Sequence, residues 1–219
     1  MAAARATSVQ ADVVVIGFGK GGKTLAATLG RQGKRVVLVE RSASMYGGTC
    51  INIGCVPTKS LVYQAEQVTT RPPDPAVYTA AVRTTAELTA GMRAENFSML
   101  DTIPTVGVVT GQARFLDPHT IAVRTADDTL TVTGRTIVVG TGSEPAWPDI
   151  PGLRDNCRAV TSTDLLSTEE LPHRLVVLGG GICGARVRRH VRRLRCGGHR
   201  AGAASGDPWP GGQRHCLLR

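Results

Sequence analysis

Two thiols five residues apart are the chemically conspicuous groups of this 219-residue chain, Cys50 and Cys55 in the run Gly47–Lys59, GGTCINIGCVPTK. Residues Cys50–Glu66 are predicted to be helical, which sets both thiols near one face of the first turns, with Gly54 between them to relieve crowding. A helix N-terminus favours negative charge and lowers a thiol pKa, so a thiolate here would be a nucleophile for thiol–disulfide exchange. A bond between the two sulfurs needs Cα atoms within about 7 Å, hence a distorted first turn. Two cysteines that never bond are one alternative. A zinc half-site is another, although C-x4-C has no matching second pair here, and no metal-ligand set is expected.

A second constellation precedes it. Gly17-Phe18-Gly19-Lys20-Gly21-Gly22 fits G-x-G-x-x-G. Gly17 would permit the tight turn, Gly19 the approach of backbone to a diphosphate, and Gly22 the packing of helix on strand. The diphosphate would sit on unpaired N–H groups at a helix N-terminus. A glycine-rich turn with no ligand is the bland alternative, and the context argues against it. Asp12–Gly17 reads as a buried strand, Lys20–Gln32 as a helix with Leu25, Ala26 and Leu29 on one face, and Arg35–Glu40 as a second buried strand. Glu40 ends that strand near the spacing at which an acid binds a ribose hydroxyl pair.

These elements belong to an α/β chain. Residues Ala76–Met99 are predicted to be helical after the break at Arg71–Pro75. Short strands are expected at Val106–Thr110, Ala113–Phe115, Thr120–Arg124, Thr129–Thr133 and Thr136–Gly140, with aspartates and Pro118 at the turns. Trp147–Leu153 reads as a connection, and Arg174–Gly179 as one more buried strand running into Gly179-Gly180-Gly181. The formal charge of +9 misleads, because Ile182–Arg219 holds nine Arg, one Asp and no Lys or Glu. A near-neutral body thus carries a basic end without a strand or helix period. A nucleic-acid-binding face would pattern its basic residues over a fold, so no nucleic-acid partner is expected. No apolar run is long enough for a membrane span and no signal-peptide pattern opens the chain, which gives an expected cytoplasmic location.

The succession of the glycine turn, Glu40 and GGTCINIGCVPTK resembles the class I flavin-dependent pyridine-nucleotide-disulfide oxidoreductases, which include dihydrolipoamide dehydrogenase, glutathione reductase and mercuric reductase. The strings IGFGKGGKTLA and SMYGGTCINIGCVPTKSLV are most similar to the subgroup tied to reactive chlorine and hypothiocyanous acid stress. The resemblance covers residues 10–181 and implies a Rossmann-like FAD-binding domain with a parallel sheet and a three-stranded meander over 1–153. It further implies the start of an NAD(P)-binding domain over 154–184, and leaves 185–219 as a tail expected to be unstructured.

The resemblance also implies roles. Gly17, Gly19 and Gly22 would cradle the FAD diphosphate, and Glu40 would hold the adenosine ribose. Gly48 and Thr49 would line the flavin side. Gly111 and Ala113 match the adenine-side segment, and Thr141, Gly142 and Ser143 match the motif closing over FAD. Cys50 would be the interchange thiol and Cys55 the charge-transfer thiol, with Lys59 near flavin N5. Gly179, Gly181 and Gly184 would open the NAD(P)H site. There Arg186 stands where the family has a glutamate, which sets like charge against Lys59. Residues 185–202, back-translated with GC-rich codons and read one base later, give a family-like helix and acid-ended strand. The expectation is therefore an out-of-frame tail, with most of the NAD(P) domain and the dimerisation domain missing. None of the five histidines lies in a matching motif. The implied activity passes electrons from NAD(P)H through FAD to a Cys50–Cys55 disulfide and on to an oxidised thiol, an electrophilic oxidant or a metal ion. The family forms homodimers. For this chain the cycle is expected to be incomplete, with a mercuric-reductase-like metal reductase, or an inert product that at most binds flavin, as the rivals.

Overall fold

Strand β1 (Thr7–Ile16) runs through the middle of the larger sheet, as its valine-rich sequence demands of a strand covered on both faces. The computed structural model describes residues 7–68, 75–172, 175–178, 202–203 and 215–218. These fall into two compact units, one of residues 1–52 and 90–142, the other of 53–89 and 143–219.

In the first unit, β1 is followed by helix α1 (Lys20–Arg31) and strand β2 (Val36–Glu40). After a 3-10 turn at Ala43–Met45 come a short helix α2 (Thr49–Asn52) and strands β3 (Val106–Thr110), β4 (Gln112–Asp117), β5 (Thr120–Arg124) and β6 (Thr129–Val139). The six strands form one sheet in the order β3-β2-β1-β6-β5-β4. Strands β3, β2, β1 and β6 are parallel, and β6, β5 and β4 form an antiparallel meander. The alternation along β2 divides the core. Val36 and Leu38 pack with Val15, Ala26, Ala27, Leu100 and Ile103, whereas Val37 and Val39 pack with Val14, Ile121, Val123 and Val132. Arg35 N–H donates to Asp12 Oδ2 at 2.9 Å, a bond that is the main reason the Asp12 carboxyl lies below the ordinary aspartate range.

Two predicted strands, Thr129–Thr133 and Thr136–Gly140, are one strand. Pairing between β1 and β6 passes from Ala11/Gly134 to Val13/Thr136, skipping Asp12 and Arg135. There the inward side changes, from Ala11 to Val14 on β1 and from Val132 to Ile137 on β6. Gly134 is needed at the change, since a Cβ would stand 2.7 Å from Val14 Cγ2. A glycine inside a strand reads as a turn in sequence, and here it marks close packing instead.

The second unit holds helix α3 (Cys55–Gln67) and the part of helix α4 (Pro75–Asp101) up to Thr89. The predicted continuous helix over 50–66 is thus interrupted at Ile53–Gly54, and Gly54 stands as the N-cap of α3. Leu61 and Ala65 of α3 pack on Tyr78, Ala81 and Val82 of α4. Ser60, Gln64 and Thr85 hydrogen-bond to one another beside that cluster. Strand β7 (Ala159–Thr161), helix α5 (Ser162–Leu165) and strand β8 (Leu175–Leu178) follow, α5 being closed by a Thr161–Asp164 capping box. Short strands β9 (Gly202–Ala203) and β10 (His215–Leu218) join a second sheet ordered β7-β10-β8-β9. They lie where the sequence shows no strand period. Among the described residues no helix is long and apolar enough to cross a membrane.

Candidate functional site

The glycine turn after β1 is built for close approach. Gly17 has φ +110°, and a Cβ on it would lie 2.1 Å from the Gly140 carbonyl oxygen. Its N–H donates to Val39 O at 2.7 Å, and Gly140 N–H returns to Ile16 O at 2.7 Å, so β1, β2 and β6 meet at this turn. A Cβ on Gly22 would stand 2.3 Å from Gly17 O. Around the Cβ direction of Gly19 there is only open space. Gly19 caps α1 with extended backbone and no side-chain bond, which leaves the first-turn N–H groups available to an anion.

Side chains that the motif spacing does not reveal hold this turn. Phe18 is fully buried and packs on Tyr46 with ring centroids 4.9 Å apart, and Tyr46 stacks on Phe97 at 5.1 Å. Tyr46 OH bonds to Thr110 Oγ1. Glu40 accepts from Phe18 N–H at 2.9 Å through one carboxylate oxygen and from Ser42 N–H at 3.2 Å through the other. Its main-chain carbonyl takes Gly111 N–H at 2.8 Å. The carboxylate therefore ties the turn after β1 to the segment after β2 and keeps lone pairs for further donors.

The segment before Cys50 folds onto the glycine turn. Gly47 and Gly48 have φ +86° and +75°, a left-handed pair for which glycine is suited. A Cβ on Gly48 would come within 2.5 Å of Gly19 Cα. Asn52, at the end of α2, clasps the loop by donating Nδ2 to Tyr46 O at 3.0 Å and to Gly48 O at 2.9 Å, while its Oδ1 accepts from Arg93 at 3.1 Å. Thr49 and Cys50 are exposed at the start of α2. The Gly142 Cβ direction meets Thr49 Oγ1 at 4.0 Å, and Gly142 itself has φ +75°. Ala113, on β4, is half-buried against the second core cluster. Thr141 is exposed.

Lys23 is a residue that motif reading passes over. It is half-buried on the first turn of α1 and bonded to Asn96 Oδ1. Burial pulls its amine below the usual lysine range, the Cys50 charge opposes that, and Lys20 adds to it. The signal available in the sequence was a lysine where an amphipathic helix face turns inward.

In the second unit, Cys55 is exposed at the first position of α3, and Gly54 caps that helix without a side-chain bond. Thr58 Oγ1 donates to Gly54 O at 2.6 Å. Lys59 is exposed one turn on, and Ser143 begins the second stretch of this unit. Gly179, Gly181, Gly184 and Arg186 lie outside the described residues.

Comparison with known proteins agrees with this geometry. The family model described as pyridine nucleotide-disulphide oxidoreductase matches residues 11–197. The chain is 43% identical over 173 residues to the probable pyridine nucleotide-disulfide oxidoreductase RclA of Escherichia coli, covering 79% of this chain and 38% of that one. It is 35% identical over 195 residues to mercuric reductase of Streptomyces lividans, covering 84% and 40%. A solved Cu(II) complex of the HOCl-induced flavoprotein disulfide reductase RclA from Escherichia coli superposes with TM-score 0.79 at 40% identity, over 84% of this chain and 40% of that structure. The chain thus spans about two fifths of the length of these relatives.

Proposed function

Because the chain belongs to the pyridine nucleotide-disulphide oxidoreductase family, we propose that it is the flavin-holding, thiol-bearing part of an FAD-dependent NAD(P)H oxidoreductase that reduces an oxidised thiol or electrophilic oxidant. The observation that carries this reading is the packing of Gly48, two residues before Cys50, on Gly19 of the dinucleotide turn. It supports the reading by bringing the backbone just before Cys50 against the glycine turn that would take the diphosphate. The open space at Gly19 and the unpaired N–H groups of the first turn of α1 support a diphosphate there, while Gly17 and Gly22 keep the turn tight against its own backbone.

In this reading the α1 first turn holds the diphosphate through its N–H groups, and Glu40 accepts from the adenosine ribose. Gly111 and Ala113 would serve the adenine side, and Thr141, Gly142 and Ser143 would help to hold the cofactor, as the resemblance implies. Lys59 would tune the flavin, a role that only the family resemblance assigns to it. Bound FAD would supply a two-electron relay between nicotinamide and thiols. Cys50 thiolate attacks the oxidised sulfur of a disulfide substrate and releases one half as a thiolate. Cys55 thiolate then attacks Cys50, releasing the other half and leaving a Cys50–Cys55 disulfide, so two electrons pass to substrate. A metal ion as substrate is a second reading, favoured by the likeness to mercuric reductase.

An absorbance spectrum tests the proposal. The purified chain is expected to be yellow and to gain a long-wavelength shoulder on dithiol reduction that Cys55→Ser removes. A colourless protein that takes up no FAD overturns it. Sustained NAD(P)H oxidation is not expected from this chain alone, and a measurable turnover would refute that part.

A further inference from the structure

Lys23 and Cys50 lie on different elements that the Gly47–Gly48 turn brings together. Asn96 makes the connection, as its side chain receives Lys23 Nζ, while its own Nδ2 donates to Met92 O at 2.6 Å. A Cβ on Gly47 would stand 3.5 Å from Asn96 Cγ, so the backbone leading into Cys50 passes over the group that fixes the lysine. Gly48 meanwhile rests on Gly19, one turn before Lys23. We propose that Lys23, fixed by Asn96, is a positioning residue that holds a cation beside Cys50 and biases this thiol toward its nucleophilic thiolate. The electrostatic interaction between Lys23 and Cys50 has the matching sign. Lys20 shares α1, Arg93 of α4 is engaged by Asn52, the exposed Glu95 adjoins Asn96 on α4, and α1, α2 and the Gly47–Gly48 turn contain no carboxylate to compete for Lys23. A thiol paired with an ammonium reacts faster at neutral pH because more of it is ionised.

The inference rests on the reading of Cys50 as the interchange thiol, but its test needs no flavin. In the full chain carrying Cys55→Ser, iodoacetamide alkylates Cys50 thiolate, a carbon–sulfur bond forming as iodide leaves, and mass spectrometry of the peptide following Arg41 reports the rate. Lys23→Met is expected to slow Cys50 alkylation at pH 7 about threefold to tenfold and to move its pH profile upward, with Lys23→Arg restoring both. Lys34→Met, a distant exposed cation, is expected to leave the rate unchanged. Equal rates and profiles for Lys23→Met and the unsubstituted lysine overturn the proposal. Should Lys23→Met fail to fold, added salt in the Cys55→Ser chain supplies the second arm. Salt is expected to slow Cys50 more than Cys157 of the same molecule, and an equal response of the two overturns the inference. A yellow protein without Lys23 dependence sinks this proposal alone, and a colourless protein with it sinks only the flavin reading.

Discussion

At the scale of single residues, Tyr78 shows how costly a small polar group becomes when it is sealed. It is 1% exposed, and its hydroxyl finds no hydrogen-bond partner among the described residues. Burial pushes its pKa up to about 12. The neutral phenol is the form the fold accepts, so its share of stability is complete below the unfolded pKa near 10 and is lost as pH rises from there toward 12. Denaturant titration at pH 8 and pH 11 is expected to show a loss of about 1 kcal/mol that Tyr78→Phe abolishes. At pH 8 the same substitution is expected to leave stability equal or raise it by about 1 kcal/mol, since it deletes an unpaired buried hydroxyl. Gly17 and Gly19 separate folding from binding in a similar way. Gly17→Ala meets both a left-handed φ and the Gly140 carbonyl, and is expected to cost about 3 kcal/mol or more in thermal unfolding. Gly19→Ala meets nothing and is expected to change stability by roughly 0.5 kcal/mol or less. Its flavin retention is nonetheless expected to fall about tenfold or more, by dialysis and absorbance, because a methyl group would occupy the proposed diphosphate path. Retention at the unsubstituted level would argue against that path.

Among the elements, α2 depends on a clasp rather than on its own four residues. A helix of that length has little intrinsic stability. Asn52→Ala is expected to cost about 1–2 kcal/mol, since it removes two donors to Tyr46 and Gly48 and the acceptor for Arg93. Asn52→Asp keeps only the Arg93 bond and turns a negative charge toward two carbonyl oxygens. A denaturation midpoint no lower than that of the unsubstituted chain would show the clasp to be idle. The limits of sequence reading follow from the same distinction between local and tertiary causes. Strands β3 and β5 were legible to the residue, because their alternation and flanking turns are local signals. The glycine turn, Glu40 and the cysteine run were legible as motifs. Gly134 misled, because only its packing on Val14 tells a strand glycine from a turn. The break at Gly54 does carry a local signal, a glycine with Pro57 three residues on in the first turn of α3, which the reading of one helix over 50–66 passed over. Phe18, Tyr46 and Phe97 gave no sign, since their partners lie dozens of residues away, and Lys23 offered only its place on an inward-turning helix face.

For the whole molecule, charge and architecture are distributed unevenly. The first 181 residues are close to neutral, and the excess of arginine belongs to the end of the chain. Any retention of DNA is therefore expected to disappear on raising salt from about 50 to 200 mM and to be indifferent to base sequence in a filter-binding assay. Sequence preference that survives at the higher salt would contradict this. The order in which the sheet can close is also fixed by topology. Strand β1 acquires β2 at once, yet its other neighbour is β6, with Thr7 opposite Leu130 and Ile16 opposite Val139. On a ribosome adding roughly 5–20 residues each second, β1 waits about ten seconds for that partner. Throughout that interval Ala11 and Val14 face no covering strand, while the glycine turn lacks the Gly140 backbone that completes it. The nascent chain thus spends its synthesis with a sticky, half-made glycine turn, and coexpressed holdase chaperones are the condition under which it should be recovered in soluble form.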